Sequence, residues 1–232
     1  VNNGVVSLTE VDNEGKKLAY PQHLADKLGI PCINYAMTGS SNERIVRQLP
    51  EALLKYPNSL VLVGWVALDR SEFFYSDDGK YISRDSDNYL QVGISWLEEN
   101  TWLTRLGRWM DKTYHPLNNI FIKKFFRSTD KFNNYKLFNS MLYADLLCKK
   151  YSSDYRHIFH IDGMILENNF QETVWQEIDK NKILKFPGDT NRNFGSYDTF
   201  HRQQKSKIVD QGHYDLEAHK KLAEYIYNDL GI

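Results

Sequence analysis

Apolar positions along the chain recur in two alternating patterns. The segments "GVVSL" at 4–8, "PCINYA" at 31–36 and "SLVLVGW" at 59–65 are apolar runs of strand length. Between them, "YPQHLADKLG" at 20–29 and "TGSSNERIVRQLPEALLKY" at 38–56 carry apolar residues at helical spacing. This alternation predicts an α/β fold with a mostly parallel sheet. The nearly continuous apolar run at 59–65 further predicts a strand that helices cover on both faces.

The second half of the chain continues the pattern with longer connections. Residues 130–151 have the composition of a helix, "YRHIFHIDGMIL" at 155–166 indicates a further strand, and residues 215–230 form a final amphipathic helix. "GSYDTF" at 195–200 is typical of a loop. We therefore expect the α/β alternation to extend to the last helix.

Short polar and glycine signals predict where the helices begin and end. Gly29 stands where a C-terminal stop belongs, and Asp215 is a candidate N-cap of the last helix. Ser40 and Glu43 have the spacing of a capping box, and Pro50 predicts a break or restart in the helix that follows.

Residues 1–232 have the length of a single α/β domain. Between about residues 70 and 125 the pattern loosens into an aromatic segment of mixed charge, which we interpret as an insertion holding a small hairpin and one helix. Its rings are compatible with a wall beside a site or with a place in the core.

Composition narrows the class of partner. With 29 Lys and Arg against 30 Asp and Glu, the net charge of −1 does not favour nucleic acid or an anionic membrane. The longest apolar run, at 60–68, falls well short of the ~20 residues that span a bilayer, and the opening "VNNG" does not resemble a signal peptide. We expect a soluble, cytoplasmic protein, with Cys32 and Cys148 as core thiols.

The segment "VDQGHYDLEAHKKLAEYI" at 209–226 places Asp210 three positions before His213, with Gly212 able to tighten the turn between them. A carboxylate bonded to Nδ1–H of an imidazole leaves Nε2 free to take a proton from a nucleophile. The alternative is a polar turn that leads into a helix. The two residues alone do not decide between these interpretations.

The order of four segments along the chain bears on that choice. "VVSLT", "NYAMTGSSN", "LVLVGW" and "DQGHYDL" follow one another at the ends of predicted strands or before helices. In this the chain resembles the SGNH (GDSL-like) hydrolase family, in which a Ser, a Gly, an Asn and an Asp-x-x-His occupy four such blocks. The resemblance implies a three-layer α/β/α sandwich with a flavodoxin-like, mostly parallel sheet.

The resemblance assigns roles residue by residue. Ser7 of "VVSLT" stands at the position of the nucleophile, Gly39 at the second block contributes to the oxyanion hole, and Asp210 and His213 complete the triad. It implies a hydrolase that cleaves an ester through an acyl-enzyme, with an O-acetyl group on a carbohydrate as the candidate substrate. Such chemistry requires no metal and no organic cofactor.

Two blocks depart from the family pattern. Val5 and Val6 replace the Gly-Asp that precedes the nucleophile, and Val66 stands where the third block has its Asn. Asn42 is the nearest candidate to supply the missing oxyanion donor. The same departures motivate an alternative, which is a catalytically impaired SGNH-fold protein that serves in binding or assembly, for example in a phage.

The segment "GW…DRSEFF" resembles a branch of the family found in bacteriophages, and it makes Trp65 and Arg70 candidate substrate-binding residues. His157 and His160 lie three apart on a predicted strand, so they should face opposite sides and cannot share a metal ion. We interpret both histidines as structural and expect no metal site.

Overall fold

The computed structural model describes most of the predicted sheet and its helices. The described residues are 5–7, 19–36, 40–66, 70–74, 89–93, 130–160, 173–186, 195–210 and 213–231. For residues 5–7, 70–74, 89–93, 130–133, 209–210 and 213, the description is limited to the backbone.

Strands and helices are interspersed along the described ranges. The strands are β1 (Val5–Ser7), β2 (Cys32–Asn34), β3 (Leu60–Trp65), β4 (Arg70–Phe74), β5 (Tyr89–Gly93), β6 (Asp154–Phe159), β7 (Ile208–Asp210) and β8 (His213–Tyr214). The helices are α1 (Tyr20–Leu28), α2 (Asn42–Lys55), α3 (Asp130–Tyr151), α4 (Thr173–Glu177), α5 (Tyr197–Gln203) and α6 (Leu216–Leu230). A short 3₁₀ turn, Lys180–Lys182, follows α4.

Four of the strands form one parallel sheet in the order β2-β1-β3-β6. The chain leaves β1 for β2 at one edge and then crosses back past β1 to β3, so the direction of winding reverses between β1 and β3. A reversal of this kind in an open parallel sheet is called a topological switch point. The predicted α/β class and the parallel strand direction are confirmed.

Strand β3 supplies apolar side chains to two separate cores. Val61, Val63 and Trp65 pack in a first core together with α2, α3 and α4. Leu60 and Leu62 pack in a second core together with α1, α5 and α6. Because successive side chains of a strand point to opposite faces, the two cores cover the two sides of β3. This accounts for the unbroken apolar run in the sequence.

Three helix boundaries test the capping signals. Gly29 ends α1 in the left-handed conformation with φ 65°, and Asp215 caps α6 by accepting a hydrogen bond from the Ala218 amide across 2.9 Å. Both predictions are confirmed. The predicted capping box at Ser40 is wrong, because Ser41 is the N-cap of α2 and accepts from the Arg44 amide across 3.3 Å. The predicted break at Pro50 is also wrong, since α2 continues through it.

Two further segments differ from expectation. Residues 195–200 were predicted to be a loop, but α5 begins at Tyr197, with Ser196 as N-cap accepting from the Thr199 amide across 3.1 Å. The strand predicted at 155–166 is β6, which ends at Phe159, and residues 161–172 lie outside the described part of the chain. An isolated parallel bridge between His157 and Ile183 extends the sheet beyond β6.

The predicted insertion contains the antiparallel hairpin of β4 and β5, in which Arg70 is paired with Gly93 and Phe74 with Tyr89. This confirms the hairpin, while the helix expected in the same segment falls on residues outside the described ranges. None of the helices in the part of the chain described here is both long enough and apolar enough to cross a membrane.

The packing of α6 can be tested with two leucines on the same helix. Leu222 is fully buried in the second core, whereas Leu216 is exposed. Leu222→Ala should lower the free energy of unfolding by about 2–5 kcal/mol, because it removes core contacts and leaves a cavity. Leu216→Ala should change it by less than about 1 kcal/mol. Urea denaturation of both variants measures the difference, and equal effects would contradict the assigned orientation of α6.

Candidate functional site

Ser7 is the last residue of β1, next to the point where the winding of the sheet reverses. Its backbone is paired with Asn34 of β2 on one side and with Leu62 of β3 on the other. In open parallel sheets ligands bind beyond the carboxyl ends of the strands at such a switch point. The backbone of Ser7 therefore lies at the edge of the sheet where a site is expected, and its side chain lies outside the described part.

Asp210 and His213 end and begin the two strands of a short antiparallel hairpin. They are direct partners in the register of β7 and β8, which brings their backbones opposite each other immediately before α6. Directly opposed residues of an antiparallel pair have neighbouring side chains on one face. The register is thus compatible with a carboxylate–imidazole pair, and the two side chains lie outside the described residues. Gly39 falls outside the described residues altogether.

Asn42, the first residue of α2, is held to the residue that follows β3. Its Oδ1 accepts a hydrogen bond from the Val66 amide across 2.9 Å, and its Nδ2 donates to the Val66 carbonyl across 3.1 Å. Both residues are buried. These two hydrogen bonds join the start of α2 to the residue that follows β3. Their effect on oxyanion binding stays a prediction.

Trp65 occupies a different environment from the one expected of a ligand-binding residue. Its indole is fully buried in the first core, and Nε1 donates to Nδ1 of His157 across 3.0 Å. In this structure the Trp65 side chain is therefore part of the core, and its contribution to substrate binding stays a prediction. Arg70, the other candidate for substrate binding, begins β4, and its side chain lies outside the described residues.

The polar contact of Trp65 continues into a buried carboxylate that sequence reasoning missed. Nε2 of His157 lies 2.7 Å from Oδ1 of Asp145 on α3, and Oδ2 of Asp145 accepts from the Asp179 amide across 2.8 Å. Burial alone would raise the pKa of Asp145, but the hydrogen bonds from His157 and from the Asp179 amide hold it below its usual range. The Asp145 carboxylate is therefore ionised at neutral pH.

A second group of residues lies around the hairpin that carries His213. The Tyr214 ring packs against His201 with a centroid distance of 4.3 Å and against Tyr197 at 5.5 Å. His160 also stacks on Tyr197, at a centroid distance of 5.1 Å. Because the helix that carries Tyr197 and His201 was predicted to be a loop, neither residue was a candidate. The Ser196 N-cap three residues before Thr199 was the available local signal.

His157 and His160 face opposite sides of β6, as predicted. His157 contacts Trp65 in the first core, whereas His160 contacts Tyr20 and Tyr197 of the second. Across the described ranges, no group of three or more His, Cys, Asp or Glu residues has the geometry to hold a metal ion.

The two cysteines are not activated nucleophiles. Burial raises the pKa of Cys32 to about 11 and that of Cys148 to about 12, with smaller contributions from the nearby carboxylates of Asp26 and Asp145. Both thiols are free and protonated at neutral pH. If the chain performs nucleophilic catalysis, a hydroxyl is the better candidate.

His201 gives a prediction for the pH dependence of stability. Its imidazole is fully buried, and burial followed by the nearby His219 lowers its pKa to about 4. The imidazole of His201 binds a proton more tightly in the unfolded chain than in the folded protein. Its contribution to the free energy of unfolding is therefore complete above about pH 6.5 and is lost as the pH falls towards about 4.

Between about pH 7 and about pH 5 the wild-type protein should lose on the order of 2 kcal/mol more unfolding free energy than His201→Gln, which cannot be protonated. Urea denaturation at the two pH values measures this difference. Between about pH 7 and about pH 8 the two proteins should show the same dependence. If the unfolding free energies of the wild type and of His201→Gln fall by the same amount between about pH 7 and about pH 5, His201 is not held neutral by the fold.

No protein-family model matches the chain, and neither a curated protein nor a solved structure shows significant similarity to it.

Proposed function

We propose that the chain is an SGNH-type serine esterase with a three-layer α/β/α architecture of the flavodoxin-like kind. In this proposal it cleaves an ester by way of an acyl-enzyme, and an O-acetyl group on a carbohydrate is the candidate substrate. The support comes from the order of the sequence blocks together with their positions along the sheet.

One observation carries the proposal. The serine predicted to be the nucleophile ends β1 at the switch point between β1 and β3, and the strand order β2-β1-β3-β6 follows the flavodoxin-like order. A serine without a functional role would not be expected specifically at the switch point. The switch point is where an open α/β sheet leaves a crevice for a ligand.

The acid–base half of the proposed site is formed by the β7–β8 hairpin. In the mechanism, Asp210 accepts a hydrogen bond from Nδ1–H of His213, which leaves Nε2 free to take the proton of the Ser7 hydroxyl. The Ser7 oxygen then attacks the ester carbonyl, and the tetrahedral intermediate expels the alcohol, which receives that proton from His213. Water, activated in the same way by His213, releases the acid and restores Ser7.

The oxyanion is proposed to bind to three donors, which are the backbone amides of Ser7 and Gly39 and the side-chain amide of Asn42. An amide nitrogen carries two N–H groups. One N–H of Asn42 donates to the Val66 carbonyl, and the second is available in our proposal to the oxyanion. Asn42 would thus replace the Asn whose position in the third block is taken by Val66.

A second candidate function follows from the same contacts. Val66 has no side-chain donor, and the Asn42 amide is bonded to the Val66 backbone at both its oxygen and its nitrogen. If the second N–H does not reach the oxyanion, the fold would serve as a catalytically impaired binding or assembly protein, for example in a phage particle.

Labelling with a fluorophosphonate probe tests the nucleophile. The probe should add covalent mass to Ser7, because an activated serine attacks its phosphorus centre, and the modified peptide is identified by mass spectrometry. Ser7→Ala should abolish the labelling, and His213→Ala should reduce it to the level of the unfolded chain.

Ser153→Ala is the matched control for this experiment, because Ser153 is exposed and immediately precedes β6, at the opposite edge of the sheet. It should label like the wild type. Labelling that survives Ser7→Ala, or a folded wild-type protein without labelled serine, would refute the esterase and favour the binding protein.

Asn42→Asp tests the proposed third donor. The carboxylate keeps an acceptor for the Val66 amide and is favourable at the start of a helix, but it removes both N–H groups. We expect turnover of an aryl acetate to fall by ~10²–10³-fold, with the fold retained.

Asn139→Asp makes the same chemical change at an exposed position of α3 and should leave turnover unchanged. Kinetic constants and circular dichroism of the two variants give the comparison. If Asn42→Asp turns over substrate at the wild-type rate, Asn42 does not bind the oxyanion.

A further inference from the structure

A connected series of polar groups crosses the first core. Asp145 on α3, His157 on β6 and Trp65 on β3 are all fully buried, and hydrogen bonds of 2.7 Å and 3.0 Å link them in that order. The surrounding core is mainly apolar, with Met141 and Val63 among its members, and the Tyr155 hydroxyl also interacts with Asp145. Apolar residues of similar volume often stabilise such a position equally well. Stability alone therefore does not explain why the core contains an ionised carboxylate.

The donors and acceptors fix the state of each group. An indole N–H is only a donor, so Nδ1 of His157 must accept from Trp65 and carries no proton. The proton of the neutral imidazole is then on Nε2, which donates to the Asp145 carboxylate. The Asp145 carboxylate is oriented in turn by the Asp179 amide. The network has one consistent direction of donation, which orients the Trp65 indole as well as the imidazole.

The network ends at the proposed oxyanion site. Trp65 is followed by Val66, whose backbone is bonded at both its amide and its carbonyl to the side chain of Asn42. The Trp65 carbonyl also accepts from the His160 amide across 3.0 Å, which holds the same end of β3 against the end of β6. A shift of the indole would therefore move the backbone on which the Asn42 amide is seated.

We infer that Asp145, His157 and Trp65 form a positioning network that fixes the carboxyl end of β3, and through Val66 the Asn42 amide, for binding of the oxyanion. The inference rests on the proposed esterase function and names three positioning residues for it. None of the three contacts the substrate. They act on the placement of the Asn42 amide, the proposed oxyanion donor. Even a small displacement of such a group can slow a reaction strongly.

The test is the double variant Asp145→Leu/His157→Phe, which replaces both members of the buried pair by apolar side chains and leaves no unpaired charge. Two quantities are measured. The first is the second-order rate constant for acylation of Ser7 by a fluorophosphonate, and the second is the hydrogen-exchange protection of the Val66 amide. We expect acylation to slow by about 10- to 100-fold and Val66 protection to fall.

Met141→Ala is the matched control, because Met141 is fully buried on α3 one turn before Asp145. It disturbs the same core without removing a polar contact, so it should lower stability while leaving the acylation rate and Val66 protection unchanged. Acylation at the wild-type rate in the double variant, or an equal loss of rate in Met141→Ala, overturns the positioning network.

The exchange measurement separates this inference from the proposed function. If Ser7 of the wild type is not acylated, the esterase proposal fails, and a loss of Val66 protection in the double variant still supports the coupling between the network and Asn42. If Ser7 is acylated but neither quantity changes in the double variant, the esterase stands and the positioning network is refuted.

Discussion

The complete burial of β3 is the constraint on which the rest of the structure depends. Residues 60–65 are buried without exception, and hydrogen bonds join the strand to β1 on one side and β6 on the other. Alternate side chains then require apolar partners on both faces, which α2 and α3 supply on one side and α1 and α6 on the other. The carboxyl end of β3 is consequently enclosed by neighbouring strands and by both cores. Buried polar groups at this end must therefore form their hydrogen bonds with other groups of the protein.

The contacts at that end of the sheet connect the fold to the proposed chemistry. Asn42 satisfies the Val66 backbone, and the buried Asp145–His157 pair satisfies the Trp65 indole. Hydrogen bonds inside a dry core are strong and directional, and a fully satisfied network favours a single arrangement of its members. The proposed oxyanion donor is thus seated on a rigid part of the fold, whereas the proposed nucleophile and base are at the ends of short strands.

The sequence predicted the local features well and the distant contacts poorly. Gly29 and Asp215 act within one turn of their own helices, so their roles can be read from neighbouring residues. The capping box was assigned one residue early, because Ser40 and Ser41 are chemically identical choices. The Asp145–His157 pair joins a helix to a strand, and Trp65 lies 92 positions from His157. No periodicity in the chain carries that information. Asp210 and His213 could be proposed as a pair because they lie only three positions apart in the sequence, and the register of β7 and β8 places their backbones opposite each other.

We propose that Ser7 and His213 work as a catalytic pair, although 206 positions of sequence separate them. A crystal structure that resolves both side chains tests this pairing. We predict that Oγ of Ser7 lies within about 2.6–3.2 Å of Nε2 of His213, or within a small loop adjustment of that distance. Side chains that project from opposite faces of the sheet would contradict it.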